Sequence, residues 1–304
     1  MEAVHLQAVA LEAETLAVVV LVVVLAEAEA LAAEVAEAGN VLIKMKYLFL
    51  LLFILFLPNT AQSQLAEEIH DPNLDAKISS YDSIIKTKPS ADAYFHRGYL
   101  NSLNKNYDKA LSDYNKAILS DSTNHEFFFN RAYLKDLLKD YQGALIDYSK
   151  VVALDKKNFK AFYNRAYIKQ YRFNDVEGAF KDYTKTIEID PKNGFAYEKR
   201  GFLKMKAEKH IEAIKDFDKA IALNPTDYLS FAFRGYCKSV IGDKTALNDF
   251  NRVLILHPSA QAYVDRAAYY LIYDRKRDYC SDLRKAVDSE NYEPAKALMK
   301  KYCK

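Results

Sequence analysis

The sequence has 304 residues, of which 50% are hydrophobic, 13% aromatic and 28% charged, and its formal net charge at pH 7 is +2. Lys and Arg are nearly balanced by Asp and Glu, which is typical of a solvated surface and gives no sign of a nucleic-acid-binding face. The length alone is compatible with one or two globular domains.

Residues 1–44 differ in composition from the rest of the chain. They consist almost wholly of Ala, Val, Leu and Glu and contain no Tyr, Phe, Asp or Arg, whereas all 23 Tyr lie after them. We interpret this abrupt change at Met45 as an upstream extension that results from a start codon assigned too early. A genuine helical pre-region is the alternative, since Ala, Leu and Glu favour helices.

The segment MKYLFLLLFILFLPNTAQSQ, which begins at Met45, predicts a signal peptide over residues 45–63. Lys46 supplies the positive end, Tyr47–Leu57 is an unbroken apolar run, and Ala61 and Ser63 are small residues three and one before the cleavage point. A membrane-spanning helix needs about 20 apolar residues, and this run has eleven. We therefore expect export to the periplasm or the medium, with no stable membrane span after cleavage.

Six segments further along share one pattern: AYFHRGYL, FFFNRAYL, AFYNRAYI, AYEKRGFL, SFAFRGYC and AYVDRAAY. Each has an aromatic residue three before its Arg and Gly or Ala directly after it, and five are followed by an Ala and then an aromatic residue. The arginines are spaced 34, 34, 35, 34 and 32 residues apart. This period and pattern resemble the tetratricopeptide repeat (TPR) family. The arginines are Arg97, Arg131, Arg165, Arg200, Arg234 and Arg266.

The resemblance implies an all-α solenoid of antiparallel helix pairs that form a right-handed superhelix, with the first helix of each pair on the inner face. The Gly or Ala after each Arg would face an Ala on the second helix, so that the two backbones approach closely. The repeats are predicted at residues 91–124, 125–158, 159–193, 194–227, 228–259 and, in degenerate form, 260–289.

Both ends depart from the repeat pattern. Residues 64–90 contain half a repeat, because Tyr81, Ile84 and Pro89 stand where a second helix would have them. Residues 290–304 resemble the capping helix that an open-ended stack needs for solubility.

An Asp stands 15 to 17 residues after each Arg. The half repeat has Ser80 at the corresponding place, so Arg97 would lack a partner if each Asp paired with the following repeat. We therefore predict structural pairs within a repeat, since Arg suits partly buried carboxylates. The aspartates are Asp113, Asp147, Asp182, Asp216, Asp249 and Asp282.

The three cysteines differ in their predicted roles. Cys237 lies on the first helix of the fifth repeat and is predicted to be a buried thiol. Cys280 and Cys303 lie 11 residues before and 12 after Asn291. They should reach the same height on an antiparallel helical hairpin, and we predict a disulfide between them. Two free thiols are the alternative.

The resemblance places the partner-binding positions of the inner face two residues before and two after each Arg. These pairs read Phe95 and Tyr99, Phe129 and Tyr133, Tyr163 and Tyr167, Glu198 and Phe202, Ala232 and Tyr236, Val264 and Ala268. They predict an aromatic ladder, and Asn130 and Asn164 beside it are predicted to hold a peptide backbone. The alternative is that the rings only fill the wall between neighbouring helices.

No enzyme, cofactor or metal site is predicted, because the six His contain no pair at metal-ligand spacing and the eight Gly form no phosphate loop. A helical-repeat reader of nucleic acid would vary polar residues at the inner positions, which here are largely aromatic. The predicted function is a non-catalytic protein–protein interaction scaffold of the bacterial cell envelope that binds a peptide or helix. A solenoid that binds a cell-wall glycan through the same Tyr residues is the alternative.

Amino-terminal sequencing of the exported protein checks the signal peptide. We expect the mature chain to begin at Gln64, because cleavage follows Ser63. A mature protein that retains any of residues 1–44 would contradict this prediction.

Overall fold

The computed structural model describes residues 73–274, 278–290 and 292–303, and within these ranges the chain forms fourteen α-helices and no β-strand. The predicted upstream extension and signal peptide lie outside the described residues. The chain divides into two compact units, residues 1–80 and 81–304, and all of the full repeats belong to the second. The prediction of an all-α fold is confirmed.

The helices follow one another through short turns, and each helix of a repeat packs mainly against its neighbours along the chain. Each predicted repeat range holds one helix pair, although the last helix of the sixth repeat extends to Glu290. The helices are α1 (Leu74–Thr87), α2 (Ala91–Leu103), α3 (Tyr107–Ser120), α4 (His125–Leu137), α5 (Tyr141–Leu154), α6 (Phe159–Arg172), α7 (Val176–Ile189), α8 (Gly194–Lys206), α9 (His210–Leu223), α10 (Tyr228–Val240), α11 (Ala246–Leu256), α12 (Ala260–Tyr273), α13 (Tyr279–Glu290) and α14 (Glu293–Tyr302).

Side-chain caps define where many of these helices begin. The Ser90 hydroxyl accepts a hydrogen bond from the Ala93 N–H at 3.2 Å, and the Asn158 side chain accepts one from the Ala161 N–H at 3.0 Å. Such caps satisfy N–H groups that the first turn leaves without a helical partner. The caps therefore fix the residue at which each of these helices begins.

The small residue after each Arg lets the two helices of a repeat approach each other. A Cβ atom added at Gly201 would lie 2.9 Å from Cε1 of Phe217 and 3.2 Å from Cβ of Asp216, closer than side chains normally pack. The second-helix atoms that meet this position belong to Asp216 and Phe217 and not to the predicted Ala, although Ala213 is fully buried in one cluster with Phe217. The close approach inferred from the repeat pattern is therefore present.

Each Arg joins the two helices of its own repeat through a nearly buried Asp. Arg131 donates from Nε and Nη2 to the two carboxylate oxygens of Asp147, at 2.8 and 2.6 Å, and Asp147 is 1% exposed. The same two-bond pairing joins the predicted partners in the other five repeats. The prediction of pairing within a repeat is confirmed.

Two further contacts of this network were not predicted. Arg131 Nη1 also donates to Asn115 Oδ1 of the preceding repeat at 2.6 Å, so one guanidinium holds three helices. Lys135, one turn after Arg131, donates to the same Asp147 carboxylate at 2.8 Å. Corresponding lysines reach the Asp of the third, fourth and fifth repeats: Lys169, Lys204 and Lys238.

The carboxyl-terminal cap is held by a disulfide and an apolar contact. Cys280 and Cys303 form the predicted disulfide, with Cα atoms 5.7 Å apart. Ala295 of α14 is fully buried and packs in one cluster with Leu283 and Ala286 of α13. Cys237 is buried and unpaired, as predicted. Within the described ranges, no helix is both long enough and apolar enough to cross a membrane.

Replacing Asp147 with Ala removes the acceptor of three hydrogen bonds and leaves two cations without their buried partner. Losing one member of a buried ion pair costs about 3–5 kcal/mol, so we expect the melting temperature to fall by about 10 °C. The matched control is Asp288→Ala, which removes an exposed carboxylate and should shift the melting temperature by about 2 °C or less. Thermal unfolding followed by circular dichroism measures both. Equal melting temperatures for the two variants would contradict the structural role of Asp147.

The thiol count of the purified protein tests the cap. Burial raises the pKa of the Cys237 thiol to about 12, so the native protein should not react with a thiol reagent at neutral pH. Denaturation without reductant should expose one thiol, and reduction should expose three. The disulfide should stabilise the cap by about 3 kcal/mol. Three reactive thiols before reduction would show that the bridge is absent.

Candidate functional site

The first helices of neighbouring repeats contact one another directly, as α2 does with α4 and α8 with α10. Their side chains on this face therefore lie in successive rows from one repeat to the next. The predicted partner-binding positions all belong to these helices, which are α2, α4, α6, α8, α10 and α12.

The rings two residues before the Arg pack against aromatic residues of the second helices and do not form an exposed ladder. Phe129 lies edge-to-face on Tyr148 of its own repeat, with ring centroids 5.7 Å apart. Tyr163 lies edge-to-face on Tyr183 in the same way, at 5.6 Å. Phe95 contacts Tyr114 at 6.0 Å. These contacts agree with the alternative interpretation, in which the rings fill the wall between helices.

The residues two after the Arg are more exposed. Tyr99, Tyr133 and Tyr236 are exposed, and 52% of Tyr133 is accessible to solvent. Tyr167 and Phe202 are half-buried: the Tyr167 ring lies 4.6 Å from Tyr171. Of the predicted ladder, only the Tyr residues two positions after the Arg remain as exposed rings.

A second exposed row was missed by the sequence analysis. It stands six residues after each Arg, one helical turn beyond the exposed Tyr, so both rows share one helix face. Leu137, for example, is 48% exposed. The i, i+4 spacing from the predicted Tyr positions is the signal that could have found it. Together the two rows form what we call the exposed stripe: Tyr99, Leu103, Tyr133, Leu137, Tyr171, Tyr236, Val240 and Ile272.

The two Asn residues predicted to hold a peptide backbone have internal partners instead. The Asn130 amide donates to the Glu126 carbonyl oxygen one turn earlier, at 2.9 Å. The Asn164 amide donates to the Tyr148 hydroxyl of the preceding repeat at 3.1 Å. We therefore reassign Asn164 to the contact between repeats, and neither residue is retained in the candidate site.

The fourth repeat places an ion pair where the first three have rings. Glu198 is 4% exposed, and its Oε2 atom lies 3.0 Å from Lys199 Nζ. Burial raises the pKa of the Glu198 carboxyl, and the charge of Lys199 opposes this rise. Lys199 Nζ also lies 5.7 Å from the ring centroid of Tyr171 in the third repeat. This pair therefore borders the exposed stripe.

Neither a metal cluster nor a cavity competes with the exposed stripe in the part of the chain that the structure describes. Among the described residues, no three His, Cys, Asp or Glu side chains are grouped to hold a metal ion. A cavity of about 370 Å³ lies between the turns before α8 and α10, lined partly by Asp190, Phe195 and Asp227, and no residue of the exposed stripe lines it. The exposed stripe is the candidate functional site.

Comparisons with known proteins agree with the repeat pattern. The tetratricopeptide repeat family profile matches residues 91–124 and 196–227. No curated protein sequence matches significantly. The solved structure of YrrB, a TPR protein, is similar with a TM-score of 0.56 and 23% identity, over 62% of this chain and 97% of that one.

Two further solved structures show the same fold at lower identity. The carboxyl-terminal part of a TPR repeat-containing protein from Cytophaga hutchinsonii has a TM-score of 0.60 and 16% identity, over 73% of this chain and 93% of that one. The pilF protein of Pseudomonas aeruginosa has a TM-score of 0.57 and 15% identity, over 69% and 96% of the two chains. At these identities the likeness concerns the fold alone.

Proposed function

We propose that this chain, of which residues 91–124 and 196–227 match the tetratricopeptide repeat family profile, is a non-catalytic scaffold whose exposed stripe binds a partner protein. The observation that carries the proposal is the stripe itself, in which large apolar and aromatic side chains of successive first helices remain exposed on one face. Exposed apolar surface of this kind marks interaction sites.

The chemistry of the stripe suits an extended peptide or a helix. Tyr side chains offer an apolar ring face and a hydroxyl, and they are enriched among the residues that dominate binding energy at protein interfaces. Leu103 and Leu137 add aliphatic surface beside Tyr99 and Tyr133. The similar structure of YrrB is described as having an unusual peptide-binding site, which supports a peptide as the partner.

A cell-wall glycan is the second candidate. Sugar rings stack on Tyr faces, and the stripe repeats such faces at Tyr99, Tyr133 and Tyr236. The aliphatic Leu and Val residues between these rings favour the protein partner, since they offer no group that hydrogen-bonds a sugar hydroxyl.

We place the scaffold in the bacterial cell envelope or outside the cell. The proposal rests on the signal peptide predicted over residues 45–63. The Cys280–Cys303 disulfide supports it, because disulfides persist mainly in oxidising compartments such as the periplasm.

Partner binding by the exposed stripe is tested by capturing partners from an envelope extract with wild type and with a Tyr99→Ala, Tyr133→Ala double variant. Losing two interface tyrosines should lower the yield of captured protein by about tenfold or more. The matched control is Leu119→Ala with Ile146→Ala, which removes two exposed apolar side chains from the second helices α3 and α5. We expect this control to behave as wild type.

Circular dichroism should show that both double variants remain folded, because the altered side chains are exposed. Equal capture by the Tyr double variant and wild type would refute partner binding by the exposed stripe. If wild type retains cell-wall glycan and no protein, the second candidate replaces the first.

A further inference from the structure

The fourth repeat departs from its neighbours at two adjacent positions of the first helix. Two residues before the Arg it has Glu198, where the third repeat has Tyr163. One residue before the Arg it has Lys199, where the third repeat has Asn164. Both are largely buried: counting the side chain alone, 6% of Glu198 and 14% of Lys199 is accessible to solvent.

The hydrogen bond that joins the second and third repeats has no counterpart between the third and fourth repeats. In the third repeat, the Asn164 amide donates to the Tyr148 hydroxyl of the repeat before it. Lys199 occupies the corresponding position, but its Nζ lies 3.0 Å from Glu198 Oε2. The hydroxyl of Tyr183, the counterpart of Tyr148, is buried and has no hydrogen-bond partner. Buried hydroxyls are normally satisfied, so this one needs an explanation.

The ion pair and the unsatisfied hydroxyl lie beside one part of the exposed stripe. Lys199 Nζ is 5.7 Å from the centroid of Tyr171, an exposed ring of the stripe. Burial raises the pKa of the Tyr171 hydroxyl, and the charges of Lys199 and Glu198 act on it in opposite directions. Burial, the neighbouring tyrosines and the charge of Glu198 also raise the pKa of Tyr183. Glu198, Lys199 and Tyr171 therefore form one cluster, and the electrostatic interaction with Glu198 links the Tyr183 hydroxyl to it.

Stability does not account for this cluster. A buried ion pair is weak evidence for stability, because apolar residues of similar size often serve as well or better. The chain itself shows the alternative, since the first three repeats fill the Glu198 position with Phe95, Phe129 and Tyr163. Local departures of this kind concentrate at functional sites.

We propose that Glu198, Tyr171 and Tyr183 form a subsite for a Lys or Arg side chain of the bound peptide, whose cation displaces that of Lys199. This inference rests on the proposed peptide-binding function. In the unbound protein, Lys199 already shows that an ammonium group fits beside Glu198. Its long stem lets the displaced ammonium return to solvent.

Displacement of the Lys199 ammonium favours a partner side chain that carries a positive charge. One cation replaces another, so the buried charge stays balanced, whereas an apolar side chain would leave the Glu198 carboxylate without a counter-charge. The Tyr171 ring face attracts the incoming cation, and the Tyr183 hydroxyl accepts a hydrogen bond from it. The subsite therefore favours a basic residue of the peptide over a neutral one of the same length.

The test uses two small probes, Nα-acetyl-lysine methylamide and its neutral analogue Nα-acetyl-norleucine methylamide, whose side chain ends in a methyl group at the Cε position. Binding is followed by nuclear magnetic resonance of the Tyr ring signals. Lys199→Met removes the competing cation and should tighten binding of the lysine probe by about tenfold. Adding Glu198→Gln to that variant should abolish the tightening. The norleucine probe should bind none of the proteins.

Lys215→Met is the matched control, since it removes an exposed cation from α9, the second helix of the same repeat, and should leave lysine-probe binding at the wild-type level. If Lys199→Met unfolds, Glu198→Gln alone serves, because wild type should bind the lysine probe more tightly than this variant. Equal affinities with and without the Glu198 carboxylate would overturn the inference.

The experiments distinguish failure of the cation subsite from failure of the proposed function of the exposed stripe. If partner capture depends on Tyr99 and Tyr133 but Glu198 does not discriminate between the probes, the groove stands and the cation subsite is wrong. If the lysine probe binds through Glu198 but capture does not depend on the two tyrosines, the subsite exists and the groove function is wrong.

Discussion

A buried carboxylate between two helices is the constraint on which the rest of the structure depends. Asp147 has almost no contact with water, so every lone pair that burial takes from solvent must find a donor in the protein. Arg131 and Lys135 supply those donors, and the planar guanidinium fixes the distance and angle between α4 and α5. Because a third Arg131 nitrogen holds Asn115, the same interaction also sets the register between repeats.

That constraint divides the aromatic residues of each first helix into two groups. With Arg131 turned towards α5, Phe129 lies at the edge of the helix face that meets Tyr148. Tyr133 and Leu137 lie on the other side of the same face and remain exposed. The core and the candidate binding surface are thus built from different positions of one repeated pattern, so on the proposed function a change of side chain would affect stability at the first position and partner binding at the other two.

The stripe is not uniform along the chain, because its repeats offer different kinds of side chain to the proposed partner. The first two repeats offer Tyr and Leu side chains, which bind by area and shape. The fourth repeat places Glu198 and Lys199 beside Tyr171, where a buried charge must be matched by an opposite one. Apolar contacts of the first kind supply affinity with little selectivity, whereas a buried charge penalises the wrong side chain strongly. If the stripe binds a peptide as we propose, the two kinds of contact together would fix its position along the stripe.

The sequence by itself determined the features that depend on spacing within one helix pair. The helices, the pairing of Arg131 with Asp147 and the disulfide of Cys280 with Cys303 all follow from residue offsets, because the rise and turn of an α-helix are constant. Only the tertiary structure decided which rings are exposed. Phe129, Tyr133 and Leu137 are separated by steps of about 40° around the helix axis, so periodicity puts all three on one face. The positions of the neighbouring helices decide which of these three side chains lies against α5. They also decide that Asn164 reaches Tyr148 of another repeat. No spacing within a single helix contains that information.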